Sequence, residues 1–125
     1  MQAADVKPLA FPKSCRLKSS LRIKEIVQRH RYVFSFPIKC FYDAGTGGGT
    51  KIAVIVSKRR FPHATDRNRV KRLMREAYRL NRQRIAFPED CGVEMCWMFV
   101  GTELPTFVQL SAAAEQLMTD LKDIL

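Results

Sequence analysis

The stretch Asp66 to Arg84, DRNRVKRLMREAYRLNRQR, constrains the fold more than any other part of the chain. At about 100° per residue, as an α-helix requires, Lys71, Arg72, Arg75, Arg79 and Arg82 gather on one side with Asn68. Val70, Leu73, Met74, Ala77 and Leu80 fall opposite. A helix with one apolar stripe must bury that stripe against another layer, which leaves a row of guanidinium groups facing outward. Solvated surface helices usually interleave Glu with Lys at i, i+4 for mutual support. Here Glu76 is the only acid in the stretch after Asp66, so like charges crowd. A polyanion offsets that repulsion, and the phosphates of a nucleic acid suit the task.

The charge is unevenly spread. The chain has 125 residues and a net charge of +10, enough for one domain with a modest core. Residues 1–62 and 63–88 are both strongly basic, whereas residues 89–125 carry seven acids and one lysine. One working surface and one face turned away from the polyanion would produce this split. The start, MQAADVKPLAFPK, lacks a basic segment followed by an apolar core, and no apolar run approaches ~18 residues; a cytoplasmic protein without a membrane partner is expected. Cys15, Cys40, Cys91 and Cys96 form no CxxC pair, and His30 and His63 sit at no zinc-ligand spacing from them. Reduced, buried cysteines acting as small hydrophobes are expected, with no metal site.

The elements follow from periodicity and punctuation. Residues 1–14 read as a flexible lead-in and residues 15–125 as one domain. Ser19 or Ser20 can cap a helix to about Arg29, with Leu21, Ile23, Ile26 and Val27 apolar. Tyr32 to Tyr42 reads as a strand, with a possible extra edge strand near Tyr32. The segment Ala44 to Thr50 lacks the P-loop spacing and precedes a strand, so it reads as a hairpin connection. Lys51 to Ser57 is β-branched and reads as a central strand. The basic helix then starts from a cap at Thr65 or Asp66. Pro88 and Gly92 bracket a loop before a buried strand, Val93 to Val100, in which Trp97, Met95, Met98 and Phe99 read as core. A last helix spans about Phe107 to Leu125, with apolar Val108, Ala112, Leu117, Leu121 and Leu125. The order implies an α/β (α+β) two-layer sandwich, a small mixed sheet with packed helices.

Arg67-Asn68-Arg69-x-Lys71-Arg72-x-x-Arg75-Glu76, preceded by Val56-Ser57-Lys58-Arg59 at a strand end, resembles the signature of the bacterial ribonuclease P protein subunit. Arg16-Leu17 ahead of the first helix and the chain length agree. The resemblance runs from about Arg16 to the C-terminus and is strongest from Lys51 to Tyr78.

The resemblance implies an accessory subunit of a ribozyme, a ribonucleoprotein endonuclease that removes the 5′ leader from precursor tRNA. The protein would bind the catalytic RNA and the leader as a monomer, while magnesium ions would be held mainly by the RNA. It also implies a left-handed βαβ crossover, against the usual right-handed rule, joining the Lys51 to Ser57 strand, the basic helix and the Val93 to Val100 strand. Lys58, Arg59, Arg67, Asn68, Arg69, Lys71, Arg72, Arg75 and Arg79 become the expected RNA-binding residues, arginine being suited to bidentate phosphate contact. Asn68 could equally cap the helix start, and Glu76 is expected to tether a neighbouring arginine. The leader is expected in a cleft between the first helix and the sheet. There Ile23 and Val27 stand where the family often carries phenylalanine, with Lys51 and with Phe41, or Tyr42 one register away, on the strands. Plain core packing is an equal reading for Ile23, Val27 and Phe41.

An autonomous nuclease would want clustered carboxylates for metal ions or paired general acid–base groups, and the sequence sets out neither. A general RNA- or ribosome-binding structural protein is the rival reading. DNA binding is disfavoured because no helix-turn-helix pair precedes the basic helix.

Overall fold

The computed structural model describes residues 16–44, 49–82, 84–85 and 92–125. The lead-in, Cys15, Cys91, Pro88 and most of the glycine-rich segment lie outside the described residues. The elements are α1 (Ser20–Gln28), β1 (Tyr32–Ser35), β2 (Ile38–Ala44), β3 (Lys51–Val56), α2 (Ala64–Asn81), β4 (Val93–Phe99) and α3 (Phe107–Ile124). They build an α+β sandwich around one mixed sheet of order β1-β2-β4-β3. β1, β2 and β4 are antiparallel neighbours, whereas β3 runs parallel to β4 and connects to it through α2.

The expected strand from Tyr32 to Tyr42 is two strands, the first of them the extra edge strand expected near Tyr32. The chain turns at Phe36-Pro37, a cis peptide bond, and pairs Tyr32 with Phe41 and Phe34 with Lys39. The turn carries Ser35 and Pro37, both turn formers, but no Gly, Asn or Asp, and the aromatic and β-branched residues on either side read as one strand.

Strand alternation divides the core in two. Ile38, Cys40, Ile52, Val56, Val93, Met95, Trp97 and Phe99 face α2 and α3. Phe41 and Cys96, with Ala53, Ile55 and Met98, face α1. On the first side Trp97 is fully buried and meets Tyr78 edge-on at 5.6 Å, as expected for core. α3 buries Leu110, Ala113, Ala114, Leu117, Met118 and Leu121. Val108 and Ala112, expected on its apolar face, are exposed, because the helix turns its 110–114–117–121 row inward. The two described cysteines are buried and unpaired. Burial raises both thiols, Cys96 to about 12 with Glu94 adding to the effect, so they stay protonated and inert.

Caps fix the helix starts unequally. Ser19 Oγ accepts from the Arg22 backbone N–H at 3.2 Å, and Thr106 does the same for Gln109 at 3.1 Å. α2 starts at Ala64 with His63 as N-cap and no side-chain cap bond, so neither Thr65 nor Asp66 caps it. Arg67 reaches back instead and donates to the carbonyls of Phe61 and Pro62 at 2.8 and 2.9 Å.

Past the Arg29 C-cap of α1, His30 has a φ of 56°, the left-handed conformation that usually takes glycine. Ahead of α1, the Leu17 N–H donates to the Ile52 carbonyl at 2.9 Å, and Arg16 bridges Ile52. This segment runs beside β3 and covers part of an edge that would otherwise present unpaired backbone groups.

Candidate nucleic-acid interface

The buried stripe of α2 comprises Val70, Met74, Ala77, Tyr78 and Asn81, with Leu73 packed beside it. It is rotated slightly from the expected stripe, since Tyr78 and Asn81 replace Leu80. Asn81 tolerates burial because its amide donates to the Ala77 carbonyl at 2.8 Å and to the Ser111 carbonyl at 3.3 Å.

That rotation sorts the expected RNA-binding residues. Asn68, Arg69 and Arg72 are exposed on α2, and Lys58 and Arg59 are exposed on the turn that leaves β3. Asn68 lies inside the helix and is not its N-cap. Lys71 and Arg75 are half-buried. Two expected members are engaged within the protein. Arg67 pins the loop before α2, and Arg79 forms a two-point pair with Glu76, its Nε donating at 3.1 Å. Glu76 thus tethers an arginine, as expected. The outward row is therefore Lys58, Arg59, Asn68, Arg69 and Arg72, with Lys71 and Arg75 at its margin.

Arg75 leaves this row toward the sheet. It lines a depression of about 250 Å³ with Arg16, Leu17, Lys18, Ile23, Ile52, Ala53 and Val54. A second depression, about 370 Å³, adjoins it and is lined by Arg16, Lys18, Ser19, Arg22, Lys51 and Glu94, among others. Burial lowers the Arg75 guanidinium from its ordinary value and the nearby Arg16 charge lowers it further. Both guanidiniums line the same depression and lend it positive charge. The cationic surface thus continues from α2, past the edge of β3, to the α1 side of the sheet.

On that side the expected cleft residues come together. Ile23 and Val27 of α1 pack against buried Phe41 and Cys96, and Lys51 lies at the mouth of the cleft. Tyr42 points to the opposite side and packs against the α2–α3 core, so Phe41 and not Tyr42 is the residue that faces α1. Phe41 is only 5% exposed and forms the floor of the cleft, with Ile23 and Val27 of α1 packed over it.

The exposed aromatics are elsewhere, where sequence reasoning missed them. Tyr32 and Phe34 of β1 are 48% and 50% exposed. Strand pairing sets them on the same side as Phe41, and the Tyr32 and Phe41 rings lie 5.8 Å apart. Lys39 Nζ sits 4.2 Å from the Tyr32 ring centre and 5.2 Å from that of Phe41. Aromatic faces beside a lysine suit unstacked bases and the phosphates that join them. Read as one strand, residues 32–42 would set Phe41 opposite Tyr32 and Phe34; only the turn at Phe36-Pro37 brings them together. Two apolar alternations meeting at a proline were the available signal.

Among the described residues no group of His, Cys, Asp or Glu side chains could hold a metal ion, and no helix is long and apolar enough to cross a membrane.

Known proteins resemble this chain in sequence and in fold. The family model described as Ribonuclease P matches residues 11–122. The ribonuclease P protein component of Nitrosomonas eutropha is 36% identical over 89 residues, covering 69% of this chain and 72% of that protein. Its counterpart in Porphyromonas gingivalis is 32% identical over 110 residues, covering 83% and 80%. In fold, the RNase P protein of Staphylococcus aureus superposes with a TM-score of 0.67 at 17% identity, over 88% of this chain and 97% of that one. The RNase P protein of Thermotoga maritima gives 0.60 at 16% identity, over 88% and 96%.

Proposed function

The chain belongs to the ribonuclease P protein family, and on that footing we propose that it engages two RNAs at once: the catalytic RNA along α2, and the 5′ leader of precursor tRNA across the open part of the sheet. It is a protein subunit of ribonuclease P, acts in tRNA processing, and works with an RNA subunit. The observation that carries the two-RNA reading is continuity. Exposed cations on α2 lead through Arg75 to depressions lined by Arg16, Lys18, Ile23 and Lys51, and the exposed rings of Tyr32 and Phe34 stand on that same side of the sheet. A polyanion and a single strand can therefore be held side by side.

In this reading Lys58, Arg59, Asn68, Arg69, Lys71 and Arg72 meet the catalytic RNA, and Arg75 lies where the two RNAs approach. Lys51 meets the leader backbone, Ile23, Val27 and Phe41 line the apolar part of the cleft, and Tyr32 and Phe34 stack on bases. Single-stranded RNA gains affinity from such stacking plus charge, with little need for base-edge contacts. The side chains available are cations, aromatics and aliphatics, which bind and orient. The carboxylates nearest the cleft, Asp43 and Glu94, are held by Arg22 and are poorly suited to hold magnesium. The reading therefore assigns the hydrolysis, and the magnesium ions that support it, to the RNA subunit. The protein's cations screen phosphate repulsion and so lower the magnesium needed to bring substrate and catalyst together. It would act as a single copy in the cytoplasm.

The test is cleavage of a 5′-extended precursor tRNA by the cognate ribonuclease P RNA at low magnesium, with and without the protein. Restored accurate 5′ cleavage is expected. RNA binding without any stimulation would point to a general RNA-binding role and overturn the proposal.

A further inference from the structure

α1 is held less securely by apolar contact than either other helix. It has nine residues, of which Ile26 alone is fully buried, whereas α3 buries six side chains. Apolar burial is non-directional, so one buried side chain leaves the slide and rotation of α1 weakly determined. Both settle where Ile23 and Val27 stand over the sheet.

Beneath α1 the sheet presents an unusual pair. Asp43 of β2 and Glu94 of β4 are register partners, and their side chains are only 12% and 14% exposed. Like charges directly opposite on neighbouring strands are destabilising. Arg22 lies between them, its Nε donating to Glu94 Oε1 at 2.5 Å and its Nη2 to Asp43 Oδ2. Arg29 approaches the same Asp43 oxygen at 2.9 Å, and Glu25 lies 3.9 Å from Arg22 within the helix. Arg22 and Arg29 are two helical turns apart, about 10 Å along the axis, so Asp43 is gripped from both ends of α1. Sliding α1 by one turn, or rotating it by one residue, breaks both contacts. Hydrogen bonds first to Glu94 and then to Asp43 raise the Arg22 guanidinium above its ordinary value, and it stays charged.

We propose that Arg22, held by Asp43 and Glu94, is a positioning residue that sets the rotation and height of α1 over the sheet, and with them the shape of the leader cleft. The inference rests on the leader-binding reading above. Arg22 acts through the helix: its Nε and Nη2 are bonded to carboxylates of the sheet, and Ile23 and Val27, on the neighbouring row, take the position it dictates. A buried ion cluster of this kind adds little net stability compared with apolar replacements of similar size. Its use lies in direction, because a guanidinium fork bonds in a fixed plane.

The test uses the holoenzyme reconstituted with its cognate RNA. Affinity is measured for precursor tRNA with a leader and for the same tRNA without one, and the ratio is the leader gain. If the native holoenzyme shows no leader gain, the leader-binding reading fails and takes this inference with it. If the native gain is present, the combined variant Arg22→Met, Asp43→Asn, Glu94→Gln removes every charge of the trio without leaving a buried carboxylate unpaired. The leader gain is expected to fall about tenfold, the scale of one lost base stack, while leaderless tRNA and catalytic RNA bind as before. Arg22→Lys keeps the charge but cannot fork to both carboxylates, and is expected to lose about threefold of the gain, an intermediate loss. The inference is overturned if both variants keep the full leader gain. It is equally overturned if binding of leaderless tRNA falls in the same proportion, since Arg22 would then act on the fold or on tRNA directly.

Discussion

The two faces of the sheet are built from the same strands and serve opposite ends. Toward α2 and α3 the strands present Ile38, Ile52, Met95, Trp97 and Phe99, all at most 2% exposed and closed over by two 18-residue helices. Toward α1 the same strands present Phe41 and Cys96 as buried residues, then Ala53, Ile55 and Met98 half-covered, then Tyr32 and Phe34 open to solvent. One face stores the stability and is covered by its helices. The other is half-roofed by a short helix held through ion pairs, and so has room for a ligand. A small domain that must both fold and bind a strand can separate the two tasks across one sheet, because side chains alternate between faces.

The largest effect should come from the closed face. Trp97→Ala is expected to cost about 3–5 kcal/mol, the usual range for removing a buried aromatic, read by urea denaturation. Met98→Ala, one residue away on the other face, should cost well under half as much, because its neighbourhood is already part-open. Equal costs would erase the distinction.

Charge reversal on the row of α2 comes next. Arg69→Glu or Arg72→Glu should weaken catalytic-RNA binding by about tenfold or more and reduce the slope of log K against log salt by about one or more. Both residues are exposed, so stability should hold within about 0.5 kcal/mol. The same reversal at Arg79, which is committed to Glu76, should change RNA binding less and stability more. Unchanged affinity and slope for the Arg69 and Arg72 variants would remove α2 from the interface.

On the open face, Tyr32→Ala and Phe34→Ala should each lower affinity for leader-bearing tRNA by about tenfold, near the low end of the 1–3 kcal/mol attributed to one base stack. Affinity for leaderless tRNA should stay the same, as titrations of both substrates would reveal. A loss shared by the two substrates would take these rings out of the leader path.

The smallest effect sharpens the account of α1. His30→Gly should stabilise the protein by about 0.5–1 kcal/mol, because glycine adopts the left-handed conformation at a helix C-terminus without a Cβ penalty. A chemical denaturation midpoint that moves down would show that the His30 ring makes a contact worth more than the backbone relief.

How far the sequence alone could lead differs between the faces for physical reasons. The closed face was legible: Val70, Met74 and Ala77 recur at helical spacing, and the Val93 to Phe99 run is continuously apolar with one acid, so both elements could be read locally. The start of α2 was misplaced because its loop is secured by the Arg67 side chain and not by a Thr65 or Asp66 cap. The motif residues of α2 were legible from spacing, yet Arg67 and Arg79 turn inward, which depends on neighbours that spacing does not reveal. The open face was the harder part. The turn at Phe36-Pro37 lies inside a stretch whose aromatic and β-branched residues read as one strand, and without it Tyr32 and Phe34 cannot be assigned to the face of Phe41. The Arg22, Asp43 and Glu94 cluster joins three elements up to 72 residues apart, a contact that no local pattern encodes.

The division of labour between α2 and the open face is tested most directly by crosslinking. A photoreactive side chain is placed at Phe34 in one protein and at Arg69 in another, each assembled with the catalytic RNA and a precursor tRNA. The label at position 34 should attach to leader nucleotides and lose its target when the leader is trimmed away. The label at position 69 should attach to the catalytic RNA in either case. If the Phe34 label marks the catalytic RNA and is indifferent to the leader, the open face is not the leader site and the account of the two faces is wrong.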